Sequence, residues 1–356
     1  MKILAVNSSP RSNLGSITEL LLNNLVEGMQ EAGAEVCTVN LSEKTIKPCL
    51  GCFNCWTKTP GRCIQMDDMT HELLPKVSDV DLLVYATPLY FKTMNAAMSI
   101  FRERMLPLSL PFMEKRDGKR SFLLRQKLPP VVWLSVCALP ELSEFDAFSL
   151  FLDSTCHPDI PIVAKIYRTS SEALRHPVFK EKLSDILNAT LQAGEELVRS
   201  LEISPDTMAR IRQPLVDSEL LATLGNLSFK TCIAEKLTLK EFFEKGMTLR
   251  PDSLKAFMAY STLRLNAEVA AGKKVILQFE FSGEIQASCY FTFEGGNIEA
   301  TAGTSHTYDI AIETPFELWM DIMTGKVEGR EMFIQGRYKV EGDLSLMLEL
   351  FKQEGS

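Results

Sequence analysis

Apolar positions in the first two hundred residues follow two rhythms in alternation. Ile3-Leu4-Ala5-Val6 is a short unbroken apolar run, the pattern of a strand covered on both faces. The polar stretch SSPRSNLGS (8–16) follows, and then Ile17, Leu20, Leu21, Leu25 and Met29 recur at helical spacing. The succession repeats. Strands are predicted over Ala34–Leu41, Val80–Ala86, Val131–Val136 and Ile160–Ile166. Helices are predicted over Asp67–Val77, Asn95–Met105, Phe145–Leu152 and Val178–Leu201. Five strands alternating with helices predict an α/β doubly wound parallel sheet of order 2-1-3-4-5.

The rhythm then changes. Residues 201–236 read as a helical connector broken by Pro205 and Pro214. A long helix is predicted over 251–272. VILQFEFSG and EIQASCYFTFEGGNIEATAG alternate apolar and polar at period two, as half-buried antiparallel strands do. Helices over 314–326 and 344–351 complete an α+β domain, with strands in a meander and helices on one face. The expected division is 1–200, 201–236 and 237–356.

Composition narrows the classes. The chain has 356 residues, 46% apolar and 24% charged, enough for two full cores. A net charge of −8 argues against bulk nucleic-acid binding, which needs a concentrated positive field. No apolar run reaches the roughly 18 residues of a membrane helix, and the run in MKILAVNSSP is too short for a signal peptide. A cytoplasmic location is expected, with the nine cysteines reduced; the odd count also weakens a disulfide frame.

Ligands of such sheets bind beyond the carboxyl ends of the strands. There Ser8, Ser9, Ser12 and Ser16 offer hydroxyls, Arg11 adds charge, and the following helix offers free N–H groups. Together they suit a phosphate; the plainer role is helix capping. There is no G-x-G-x-x-G and no P-loop motif. Asp67-Asp68 reads as an N-cap, and His71, His157, His176 and His306 show no ligand spacing.

SSPRSNLGS and ATPLYFKTMNAAMSIFRER (86–104) resemble the NADPH-dependent FMN reductase family of flavodoxin-like proteins, over about residues 1–200. The resemblance implies FMN, with NAD(P)H as substrate. Ser9, Arg11, Ser16, Ile17 and Thr18 would fall in its phosphate loop, and Pro88, Leu89, Tyr90 and Phe91 in its ring-contacting loop. SVCALPE adds Ser135, Cys137 and Ala138. Ser16 and Ile17 stand where the family usually has Asn and Thr. The flavin carries the chemistry, so no catalytic acid or base is nominated. The basic stretch 114–127, with six Lys and Arg residues, could meet the 2′-phosphate of NADPH or serve as a surface or oligomer-contact loop.

CLGCFNCWTKTPGRC (49–63) spaces Cys49, Cys52, Cys55 and Cys63 as C-x2-C-x2-C-x7-C. Zinc and disulfide readings fit this poorly. A [4Fe–4S] cluster and reduced or redox-active thiols both remain open. The segment is similar to the cysteine motif of iron–sulfur flavoproteins, a branch of the same family, and its loop is expected near the flavin.

Residues 240–356 resemble the sterol carrier protein 2 family, through FTFEGGNIEA, DIAIETPFELWMDIMTGK and IQGRYKVEGDLSLMLELF. That implies a hydrophobic tunnel, with Phe279, Phe281, Phe291, Phe293, Phe316, Trp319, Met320, Met323 and Met332 as lining or as ordinary core. The expected protein is an FMN-dependent NAD(P)H oxidoreductase with a fused carrier domain for a lipid or other apolar molecule, assembled as a homodimer or larger. The alternatives are an electron carrier served by a redox protein, and a lipid binder with a flavodoxin-like docking scaffold.

Overall fold

A computed structural model describes residues 1–11, 15–116, 119–270 and 272–352. Ser12, expected in the phosphate loop, lies outside them. The chain forms two compact units: Met1–Arg175 with Phe179–Leu215, and His176–Val178 with Val216–Ser356.

The first unit runs β1 (Lys2–Asn7), α1 (Ile17–Glu31), β2 (Glu35–Asn40), α2 (Leu74–Ser78), β3 (Leu82–Tyr90), β4 (Thr93–Met94), α3 (Ala96–Glu103), β5 (Ser109–Arg116), β6 (Lys119–Leu124), β7 (Val131–Val136), α4 (Asp146–Thr155), β8 (Ile162–Arg168), α5 (Lys180–Ser200) and α6 (Pro205–Arg212). The sheet order is β2-β1-β3-β7-β8, with every pair in that path parallel and β4 folded back on β3. This is the flavodoxin-like 2-1-3-4-5 order. Its inner strands β1, β3 and β7 are buried almost without alternation because both faces are covered. On one face Leu4, Leu83, Tyr85 and Trp133 pack with Met98 and Phe101 of α3 and Phe148 and Leu152 of α4. On the other, α1 and α5 cross at backbone distance. A Cβ on Gly28 would lie 1.9 Å from the Leu191 carbonyl oxygen, and one on Gly194 would lie 2.1 Å from that of Leu25.

Two local expectations are corrected. The basic stretch 114–127 lies largely in a hairpin, β5 paired with β6; residues 117–118 are not among the described residues. The predicted helix Asp67–Val77 opens with a π-helical turn, Met69–Leu73, before α2. Pro75 has no N–H to donate to the fourth carbonyl behind it, and the Leu74 N–H reaches Met69 instead.

The second unit holds α7 (Ser218–Glu235), α8 (Leu239–Glu244), α9 (Leu254–Thr262), β9 (Val275–Ser282), β10 (Ala287–Glu294), β11 (Asn297–Ala302), β12 (Ile310–Pro315), α10 (Phe316–Met323), α11 (Gly329–Ile334), β13 (Lys339–Gly342) and α12 (Leu344–Leu350). The meander is only partial. β9, β10 and β11 are antiparallel neighbours, but β12 returns parallel to β9, in the order β11-β10-β9-β12-β13. The helix predicted over 251–272 stops at Thr262, because the Asn266 side chain accepts the Glu268 N–H and starts a separate turn. Of the stretch 201–236, α6 lies in the first unit and α7 in the second.

Candidate functional site

Three loops leave the carboxyl edge of the first sheet, after β1, β3 and β7. The strand register aligns them: Asn7 pairs with Ala86, and Thr87 with Ser135. Side chains then tie them. Ser8 Oγ donates to the Ala86 carbonyl at 3.2 Å, and Asn95 Nδ2 donates to the Ser8 carbonyl at 2.6 Å while Asn95 Oδ1 caps α3 by accepting the Met98 N–H.

In the first loop, the Ser9 and Ser16 hydroxyls lie 2.7 Å apart and are buried with Thr18 and Ile17. Ser16 is the N-cap of α1 and accepts the Glu19 N–H at 3.3 Å. The capping role is therefore real, and it leaves the first-turn N–H groups facing the loop. Arg11 is drawn off to Glu172 at 2.9 Å. A second arginine, which the sequence reading missed, borders the loop. A Cβ on Gly15 (φ +78°) would lie 3.0 Å from Arg175 Nη1, and the buried Arg175 Nε makes no hydrogen bond, only a 3.9 Å ion pair with the Glu172 carboxylate that Arg11 also meets. Nothing in the sequence marks Arg175, since the fold alone brings the loop after β8 here.

In the second loop Pro88 is buried and Leu89 half-buried against the core, whereas Tyr90 and Phe91 are exposed. Phe91 and Lys92 hold left-handed conformations, φ +48° and +64°, and Lys92 pairs with Glu144. In the third loop the buried Ser135 Oγ has no partner. Cys137 donates to the Leu139 carbonyl, burial pushes its thiol up to about 11, and Ala138 is exposed. The arrangement fits FMN. Hydroxyls, a helix N-terminus and an arginine beside the loop suit a phosphate, while exposed aromatics and an unpartnered hydroxyl suit a polar-edged ring.

The four cysteines of 49–63 line one small pocket of about 20 Å³, with Phe53, Arg104 and Pro107. Burial raises the Cys55 thiol, and the charges of Cys63, Cys49 and Cys52 raise it further; the Asn54 backbone and side chain lower that of Cys52. Arg104 Nη2 donates to Cys63 Sγ at 3.5 Å. Trp56 stacks on Phe53 and bonds the Leu106 carbonyl and Ser109 Oγ. The donor set suits a cluster in kind. Among the described residues no three His, Cys, Asp or Glu side chains stand as a metal-binding group. The pocket also stands at the far end of α3 from Asn95, about 12 Å along the helix. At that end of α3 the Lys47 carbonyl accepts from Arg104 Nη1. Asp67 and Asp68 are not simple caps either. Asp67 is ion-paired with Arg104 and accepts the Lys47 N–H at 3.0 Å and the Thr70 N–H at 3.3 Å, and Asp68 accepts the Thr45 N–H.

In the second unit, Phe279, Phe281, Phe291, Phe293, Phe316, Trp319 and Met320 are buried in one core, with Met323 and Met332 packed against it. Phe279 meets Phe257, Phe281 and Trp319 at centroid distances of 5.1, 5.4 and 5.2 Å. The buried Trp319 Nε1 has no acceptor. No described helix is long and apolar enough to cross a membrane.

Comparisons with known proteins meet both resemblances. Residues 1–117 match the family model described as NADPH-dependent FMN reductase, and residues 255–352 match the SCP-2 sterol transfer family. Among curated proteins, an iron-sulfur flavoprotein of Methanocaldococcus jannaschii is 31% identical over 112 residues, 32% of this chain and 55% of the relative. An iron-sulfur flavoprotein of Archaeoglobus fulgidus is 38% identical over 107 residues, 30% of this chain and 46% of the relative. The chain thus spans about half the length of the curated relatives it matches. A solved NAD(P)H:quinone oxidoreductase from Methanothermobacter marburgensis aligns with TM-score 0.40 and 14% identity, over 55% of this chain and 96% of the other.

Proposed function

From an N-terminal unit that matches the FMN reductase model and a C-terminal unit that matches the SCP-2 model, we propose that the chain is an FMN-dependent NAD(P)H oxidoreductase fused to an apolar-ligand carrier module. The observation that carries this is the convergence at one sheet edge of the α1 N-terminus, the Arg175 guanidinium beside Gly15, the unpartnered Ser135 Oγ, and the exposed Tyr90 and Phe91. FMN bound there would supply acceptance of a hydride from a nicotinamide and its onward delivery as electrons. Ser9, Ser16, Thr18 and Arg175 would hold its phosphate, Tyr90 and Phe91 would flank its ring, and Ser135, Cys137 and Ala138 would face the ring edge. Arg11, neutralised by Glu172, would contribute at most the backbone of the loop.

The test is direct. The purified full chain should carry about one FMN and oxidise NADPH or NADH with a quinone as acceptor. A chain that neither retains nor takes up FMN overturns the reading. The exposed loops and the apolar residues Phe112 and Met113 on the β5–β6 hairpin support a homodimer or larger assembly, and a monomer by light scattering with FMN bound would sink that part.

A second reading is an electron carrier with an iron–sulfur cluster on Cys49, Cys52, Cys55 and Cys63. It is favoured by their common pocket and by the names of the curated relatives. Iron and sulfide in anaerobically prepared protein, without steady NADPH turnover, would select it.

A further inference from the structure

A cavity of about 180 Å³ lies on the α3–α4 face of the first sheet, away from the flavin loops. Its floor is Tyr85, Val131 and Trp133. Val131 and Ile162 begin their strands, and Arg102, Met105, Thr155 and Cys156 lie at the carboxyl ends of α3 and α4. It therefore stands at the amino edge of the sheet, opposite the cofactor loops. Leu108, Leu124, Leu128, Leu152 and Ile160 make its walls apolar.

One cation faces this space. The Arg102 guanidinium lies 5.4 Å from the Trp133 ring centroid and 5.7 Å from that of Phe151. Rings cover its faces and leave its N–H edges to donate. Among the described residues it has no carboxylate partner; the charged or titratable groups it feels are Tyr85 and Cys156. Most other polar groups of the cavity are engaged. Cys156 donates to the Ile160 carbonyl, Thr155 to that of Phe151 and Ser109 to that of Leu106, while His157 bonds the Phe122 carbonyl. The Tyr85 hydroxyl makes only a weak 3.5 Å bond to Met105 Sδ. Burial raises the Tyr85 phenol, so it stays a donor at neutral pH.

We propose that this cavity binds a small monocarboxylate with an aromatic or branched aliphatic body, its carboxylate paired with Arg102. The guanidinium fork matches a carboxylate edge, with the Tyr85 hydroxyl as a further donor. A single cation in apolar walls leaves a dianion under-neutralised, which disfavours phosphate. The volume sets the size, since an apolar cavity of about 150 Å³ accepts benzene. Benzoate is therefore the probe.

The full chain, labelled with 5-fluorotryptophan, is titrated with sodium benzoate and followed by fluorine NMR, the Trp133 resonance being assigned from Trp133→Phe. We expect a saturable shift of Trp133 with Trp56 and Trp319 unmoved. Benzamide, of the same shape without the charge, should bind at least tenfold more weakly, as should benzoate to Arg102→Gln. Arg102→Lys should keep part of the affinity, and Leu128→Phe, which fills the space, should abolish it; these two carry the test if Arg102→Gln fails to fold. No saturable Trp133 shift, equal binding of benzamide, or undiminished binding to Arg102→Gln or Leu128→Phe overturns the proposal.

Discussion

Arg104 grips Asp67 with both prongs of its guanidinium, at 2.6 and 2.9 Å, in a site where both side chains are 1% exposed. The same guanidinium reaches the Lys47 carbonyl, Thr70 Oγ1 and Cys63 Sγ. One residue at the end of α3 therefore fastens both flanks of the cysteine segment, Lys47 before it and Cys63, Asp67 and Thr70 at and beyond its end. Breaking a buried pair strands a charge, so Arg104→Met should cost about 3–5 kcal/mol in denaturant unfolding. It should also loosen the cysteine loop to proteolysis. A loss below 1 kcal/mol would show that the pair is not the fastening.

The pair also sets a pH dependence. Burial pushes the Asp67 carboxyl up, but hydrogen bonds from Arg104 and the Lys47 N–H outweigh it and hold the group below its usual range. A depressed folded value means that its stabilisation is present above the unfolded value, near 4, and is lost as pH falls through the lower folded value. The wild-type chain should lose stability as pH falls below about 4, more steeply than Asp67→Asn, which starts less stable and does not carry this titration. Parallel curves for the two would contradict the assignment.

The crossing of α1 and α5 admits no side chain at either glycine. Gly28→Ala or Gly194→Ala would set a methyl group inside contact distance of a backbone oxygen, at 1.9 and 2.1 Å, and backbone cannot rotate away. Each should cost about 1–3 kcal/mol or more through forced separation of the helices, read as a fall in Tm. An unchanged Tm would mean that the helices do not cross this closely.

Strands β1, β3 and β7 were legible because each is an unbroken apolar run, and the order followed from their alternation with helices. The polar connection from β1 to α1 was legible because its hydroxyls and α1 are contiguous in sequence. What stayed hidden is long-range or locally ambiguous. Arg175 meets Gly15 only through the fold. Arg104 and Asp67 are 37 residues apart, and each alone reads as a helix-end charge. The β5–β6 hairpin has no clean alternation, because Lys115, Arg116, Lys119 and Arg120 fill its distal half. The parallel return of β12 to β9 carries no local signal, since DIAIETP reads the same in either direction of pairing.

Ser9→Asp should strip the flavin while the fold survives. The new carboxylate would stand beside Ser16 Oγ, where a phosphate would meet the α1 N-terminus, and like charges in a buried site repel. FMN content by absorbance is the readout, and retention at wild-type level would overturn the phosphate assignment. Phe91→Gly separates binding from folding. Relief of a left-handed non-glycine residue should add about 1 kcal/mol to flavin-free stability, while loss of the aromatic face weakens FMN retention. A variant that holds FMN as tightly as wild type would remove Phe91 from the ring site.

The cysteine pocket orders its thiols by reactivity, because the thiolate is the nucleophile. Cys52 is exposed and its thiol is lowered by the hydrogen bonds of Asn54; Cys55 is buried and raised by burial and by its three neighbours. In metal-free protein at neutral pH, iodoacetamide followed by peptide mapping should modify Cys52 well before Cys55. Cys289, buried and pushed up to about 12, should stay unmodified until the chain unfolds. Anaerobic incubation with iron and sulfide then decides between free thiols and a cluster. If Cys49, Cys52, Cys55 and Cys63 are the ligands, iron uptake should protect all four together, and Cys52→Ser should abolish both the uptake and the protection while sparing FMN. Iron uptake that leaves the alkylation order untouched would place the metal elsewhere. Absence of uptake would leave the pocket as a set of reduced thiols, held against α3 by Arg104.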